Sequence, residues 1–170
     1  MTAYVALLRA VNVGGTGKLP MPALVKMCEE AGFEQARTYI ASGNVVFQSR
    51  LKERKIKALL EERLASYAGK PVGVLIRTGE EMAAVLAANP FAKAPTNRTV
   101  AIFLDQAPPV SALDEVRGKR AERLALGTRE IYVLYDEGMG TSKLVIPAAR
   151  TGTARNMNTI AKLAAMAAGI

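Results

Sequence analysis

Residues 37–48, RTYIASGNVVFQ, decide how the rest of the chain is read. Residues 37–40 and 44–48 are short β-prone runs, and Ala41-Ser42-Gly43 between them signals a hairpin, because glycine tolerates the positive φ of tight turns. Working outward, residues 3–11 (AYVALLRAV) are apolar on both parities except at Arg9, the mark of a strand covered on both faces. Met21, Leu24, Val25, Cys28 and Ala31 then recur at helical spacing, with Pro20 or Pro22 suited to the first turn and Gly32 to the C-cap. Past the hairpin, Ile56, Leu59, Leu60, Leu64 and Tyr67 predict a helix over 52–67, and residues 72–77 a strand. Strand, helix, strand, strand, helix, strand is the ferredoxin-like order.

The second half begins in the same way. A connecting helix over 79–89 turns Met82, Val85 and Leu86 inward and stops at Asn89-Pro90, since a residue before proline avoids the helical region. After a seam at 92–97, a strand is predicted over 99–104, a helix over 111–119, and a hairpin of 122–126 with 130–135 around Gly127-Thr128. A last helix over 154–168 buries Met157, Ile160, Ala161, Ala164 and Ala167. The hairpin of the second half mirrors that of the first, which suggests a degenerate structural repeat, although identity is too low to argue duplication. The expected fold is α+β, with two packed subdomains: residues 1–90, ferredoxin-like (βαββαβ) with the connecting helix, and residues 91–170, a βαββ unit followed by helices.

With 170 residues, 50% of them apolar, the chain can bury an ordinary core. Its charge is unevenly placed. Residues 1–28 hold Arg9, Lys18 and Lys26, and residues 138–170 hold Lys143, Arg150, Arg155 and Lys162, with no acid in either end; together they supply +7 of the net +8. Between them 16 bases face 15 acids, so the basicity is not a general excess of surface lysine. The absence of histidine excludes histidine triads, the usual zinc sites and imidazole acid–base steps. Neither metal nor cofactor is expected. The single Cys28 permits no internal disulfide and lies on an apolar helix stripe, so it reads as core. No apolar run approaches the roughly 20 residues of a membrane helix, and the start lacks a basic signal-peptide region, so a cytoplasmic protein with no membrane partner is expected. The oligomeric state stays open.

The segment Asn12-Val13-Gly14-Gly15-Thr16-Gly17-Lys18 joins a predicted strand to a predicted helix, where backbone amides can cradle a phosphate. It is not a P-loop, which needs glycine at Asn12 and Ser or Thr at Leu19. Thr153 reads as an N-cap, which puts Arg155 and Asn156 in the first turn of the last helix, where the dipole disfavours a cation unless an anion faces it. Lys18 precedes another helix start, and Lys143 follows the capping residue Ser142. Arg9, in an apolar strand, needs a partner acid or a ligand. Ser42 and Asn44 offer donors at the hairpin tip, or serve the turn alone. Residues 51–57 and the cluster Arg117, Lys119, Arg120, Arg123 read as solvated helix faces. An RNA-recognition reading of the first half fails, since residues 42–47 offer only Phe47 for stacking.

Tyr4-x-Ala6-Leu7-Leu8-Arg9-x-x-Asn12-Val13-Gly14-Gly15 with Lys18, then Thr38-Tyr39-Ile40-x-Ser42-Gly43-Asn44-Val45-Val46-Phe47, resemble a bacterial family catalogued as domain of unknown function 1697. The likeness continues through Asn89-Pro90-Phe91, Ser142-Lys143-Leu144 and Thr153-x-Arg155-Asn156-x-Asn158-Thr159. The chain departs from it at Ala10, where the family tends to have glycine, at Ala41, where glutamine is usual, and at Met157, where tryptophan is usual. The resemblance implies two packed α+β subdomains and a small bacterial protein, and it implies no activity.

The function expected is binding of an anionic, phosphate-bearing partner, nucleotide or nucleic acid, between the subdomains. Arg9, Lys18, Lys143 and Arg155 would supply charge, with Asn12, Gly14, Gly15, Ser42, Asn44, Ser142, Thr153 and Asn156 supplying donors. Whether the protein is an enzyme stays open: one alternative is a histidine-independent hydrolase or transferase using Ser42 or Ser142 with a lysine, and another is a non-catalytic interaction module.

Overall fold

The computed structural model describes residues 1–11 and 18–170, which divide into two units. The first comprises Met1–Met82 with Lys162–Ile170, and the second Ala83–Ala161. The first change of unit falls eight residues before the boundary expected after residue 90, and the last nine residues belong to the first unit.

In the first unit β1 (Thr2–Leu8), α1 (Met21–Glu30), β2 (Glu34–Thr38), β3 (Asn44–Ser49), α2 (Glu53–Ala68) and β4 (Val74–Thr78) follow in the order expected. The four strands form an antiparallel sheet in the order β2-β3-β1-β4, the ferredoxin-like arrangement. Pro20 precedes the first turn of α1, and Gly69, at φ +72°, ends α2 in the left-handed conformation that glycine reaches without strain. Leu24 and Cys28 of α1 and Ile56, Leu60 and Leu64 of α2 cover one face of the sheet, where Phe33 stacks on Phe47 at 4.4 Å. Each such side chain contributes roughly 1.5–3 kcal/mol when buried. The other face is buried too, through Val5, Leu7, Val46 and Leu75, which is why β1 reads as apolar on both parities.

After α3 (Gly79–Ala87), the second unit holds β5 (Thr99–Phe103), β6 (Arg123–Leu126), β7 (Glu130–Leu134) and β8 (Thr153–Asn156), with 3-10 turns at Ala112–Glu115 and Pro147–Ala149, and it contributes the start of α4 (Met157–Ala168). Its strand order, β6-β7-β5-β8, with every pair antiparallel, repeats that of the first sheet position for position. Tyr132 in β7 donates its hydroxyl to Val85 O in α3 at 2.7 Å.

Two local expectations are corrected. The helix predicted over 111–119 is a single 3-10 turn, because Val116 is extended and Arg117 bonds Val145 through its backbone, leaving too short a run to sustain a helix. The helix predicted from 154 starts at Met157: Asn156, not Thr153, caps it by accepting from Thr159 N at 2.9 Å, and Thr153–Asn156 pairs with β5 instead. The capping of α3 is equivalent, with Thr78 and Glu81 exchanging bonds of 2.8 and 3.1 Å. In each sheet the residue before the cap is a buried arginine: Arg77, 1% exposed, opposite Val5, and Arg155, 7% exposed, opposite Ala101. Both donate from Nη1 to the carbonyl of the preceding residue at 2.9 Å, so the repeat extends to side-chain detail.

Candidate functional site: a lysine-flanked cavity at the end of the first strand

Strand β1 ends at Leu8, one residue before its arginine. Arg9 is half-buried rather than enclosed in the strand; its N–H donates to Gly73 O at 2.9 Å, and its stem lies over Gly73, where a Cβ would stand 2.9 Å from Arg9 Cδ. Ala10 turns the chain with a φ of +50°, a left-handed conformation that costs a non-glycine residue about 1–2 kcal/mol. That conformation gives a physical reason for glycine at this position in the family the sequence resembles.

Beyond this turn lies a cavity of about 240 Å³ with a floor of Val11, Leu19, Leu64 and Val72 and with Lys18, Lys70 and Tyr67 also lining it. Both lysines are exposed, and among the described residues none that lines the cavity is acidic. Residues 12–17, which join Val11 to Lys18, lie outside the described residues, and with them Asn12, Gly14 and Gly15 of the expected phosphate cradle. A larger cavity of about 620 Å³ lies between α1 and α2, but its lining mixes Glu30 and Glu62 with Arg63, whose guanidinium is 3.6 Å from Glu30. Charge therefore favours the smaller one for an anion.

The hairpin tip serves its own geometry. Asn44 is fully buried, and its Nδ2 donates to Tyr39 O at 2.9 Å and to Ser42 Oγ at 2.8 Å. Gly43, at φ +89°, accepts through its carbonyl from Leu8 N at 2.8 Å and packs against the end of β1. In the second unit Ser142 donates its hydroxyl to Glu122 and accepts from Leu144 N at 3.2 Å, which fixes a turn and leaves neighbouring Lys143 exposed. The bond from Ser142, those from the Arg120 and Glu122 backbone N–H groups and nearby Lys119 hold the Glu122 carboxyl below its usual range.

Arg155 stands inside β8, not in a first helical turn, so the helix-dipole argument for an anion beside it falls away. Its Nη1 donates to Thr153 Oγ1 at 2.8 Å, and burial pulls its pKa down to about 10, leaving it charged at neutral pH. Asn156 is occupied as the cap. Cys28 is buried as expected, and loss of solvent pushes its thiol up to about 12. Sequence reading missed Lys70 and Tyr67 as cavity residues. Tyr67 was expected on the inward stripe of α2 and is 52% exposed; the signal was Gly69, which ends the helix and brings Lys70 to its tip.

The fold and cavity define an α+β protein with two sheets of ferredoxin-like strand order and a basic, apolar-floored pocket in the first. The family model described as "Protein of unknown function (DUF1697)" matches residues 1–132, and the chain belongs to that family. It is similar to the solved structure of the conserved bacterial protein SP0830 from Streptococcus pneumoniae, with 25% identity and a TM-score of 0.79 over 98% of each chain. No curated protein matches it. Among the described residues no helix is long and apolar enough to cross a membrane.

Proposed function

We propose that the protein binds a small phosphate-bearing ligand, of nucleotide size or less, in the cavity at the end of β1. The observation that carries this reading is the lining: two lysines and no acid among the described residues, above an apolar floor. In sequence, Val11 and Lys18, both cavity residues, flank the glycine-rich stretch 12–17. Lys18 and Lys70 supply charge, and Tyr67 supplies a ring face. A volume of about 240 Å³ lies below the ~300–1,000 Å³ of pockets for drug-sized ligands, which argues against a whole dinucleotide.

The test is calorimetric titration of the full chain with AMP, ATP, inorganic pyrophosphate and adenosine. The phosphate-bearing ligands should bind and adenosine should bind worst. Joint replacement Lys18→Ala and Lys70→Ala should weaken binding about tenfold or more, since a hydrogen bond to a charged group is worth roughly 1.5–3 kcal/mol. Equal affinity for adenosine and AMP, or affinity unchanged in the double variant, would refute the reading.

A further inference from the structure

We infer that the outer loops of the second unit form a docking surface for the phosphodiester backbone of nucleic acid, carried by Arg117, Lys119, Arg120 and Lys143. These residues come from two segments far apart in sequence that are clamped together at three points. Arg117 and Val145 exchange both backbone hydrogen bonds, at 2.9 and 2.8 Å. Gly118 takes a φ of +71° and lies so close to Lys143 O that a Cβ on it would stand 2.1 Å away. The Glu122 carboxylate ties the segments a third time, accepting from Arg120 N at 2.6 Å and from Ser142 Oγ.

All four cations are exposed, whereas Glu122 is buried. Of the other acids on these segments, Asp136 pairs with Arg123 at 3.6 Å, Glu115 lines a separate cavity with Asp105, and Asp114 and Glu137 are exposed. These acids lie outside residues 117–120, where three cations fall in four residues and the clamp adds Lys143, so the positive charge is concentrated on a backbone-braced frame, unlike a basic tail. Two of the four are arginines, whose planar fork meets phosphate oxygens in pairs and suits sequence-independent backbone contacts. The exposed large apolar residues of the connections 104–122 and 135–152 are Val110, Met139 and Val145, three positions that do not make the continuous apolar face an amphipathic surface needs to seat in lipid, so nucleic acid is favoured over a membrane.

The test is fluorescence anisotropy of a labelled 20-nucleotide single strand with the full chain between 50 and 200 mM KCl. Four phosphate contacts give a log–log salt slope of about −2.8, hence about a 50-fold loss of affinity over that range. Arg120→Ala with Lys143→Ala should bring the slope to about −1.4 while leaving the melting temperature and AMP binding unchanged. Gly118→Ala keeps every charge but cannot keep the clamp, so it should weaken binding too; unaltered binding would show that the frame is irrelevant. A slope unchanged in the double variant, absence of binding at 50 mM KCl, or tighter binding to phosphatidylglycerol vesicles than to the strand would overturn the inference. Lys18→Ala with Lys70→Ala should leave strand binding intact, so this site and the cavity fail separately.

Discussion

Replacing Gly43 by alanine should destabilise the first unit through two separable effects. At φ +89°, alanine adopts a left-handed backbone at a cost of about 1–2 kcal/mol. The added Cβ also has nowhere to go: it would stand 2.6 Å from Val11 Cγ2 and 2.8 Å from Leu8 Cβ. Leu8 is fully buried in β1 and Val11 nearly so, so neither can swing into solvent, and overpacking of this kind costs about 1–3 kcal/mol. Together they come to about 2–5 kcal/mol, or roughly 5–15 °C in melting temperature for a chain of this size. Gly32→Ala is the internal control, because Gly32 has nearly the same φ, +88°, but open space where the Cβ would go, so it should lose the backbone cost alone. Thermal melts followed by circular dichroism would compare the two. A Gly43→Ala loss no greater than that of Gly32→Ala would refute the claim that the hairpin tip is pressed onto the end of β1. Since Val11 lines the cavity, Gly43→Ala should also weaken ligand binding there.

Ala10→Gly should raise stability by up to about 1 kcal/mol, because relief of the left-handed alanine at φ +50° exceeds the added freedom of the unfolded chain. A lowered melting temperature would contradict it. Cys28, with its thiol pushed up to about 12, should resist aromatic-disulfide reagents in the folded protein at pH 8 and react once unfolded. Because the folded value lies above the unfolded one, stability should fall as pH rises from about 9 through 12; rapid native-state labelling would refute the burial.

What the sequence made legible follows from periodicity. The apolar stripes of α1 and α2 and the double-faced β1 were readable because tertiary burial agrees there with local pattern. Strand β8 was not readable. Thr153 and Asn156 are both good caps, three residues apart, and only pairing with β5 decides that Asn156 is the one used. Arg155 shows the consequence: as a first-turn cation it argued for an anion, whereas as a strand residue beside Thr153 it is a buried donor held by the fold. The basic cluster at 117–123 failed for the reverse reason, since a solvated helix face and a clamped loop have the same composition. What separates them is the Arg117–Val145 bridge, a long-range contact without periodicity.

The repeat explains why the two candidate sites lie where they do. In the first unit the connections from β1 to β2 and from β3 to β4 contain α1 and α2, which meet where Arg63 donates to Glu30 O at 3.2 Å. In the second unit the equivalent connections, residues 104–122 and 135–152, carry only 3-10 turns and meet at the Arg117–Val145 bridge. Each pair has the same task of covering one sheet face; the irregular pair does so with Leu113, Leu144 and Ile146 over Val100, Ile102, Ile131 and Val133. A helix does this with a side-chain stripe and ends at a cap, and the end of α2 is where Lys70 meets the cavity. A loop must satisfy its backbone otherwise, and the clamp that does so aligns Arg117, Lys119, Arg120 and Lys143 in the open. Cavity and basic surface thus belong largely to the crossing connections and not to the sheets, so substitutions within the strands should register in stability, and those at the connection surfaces in binding.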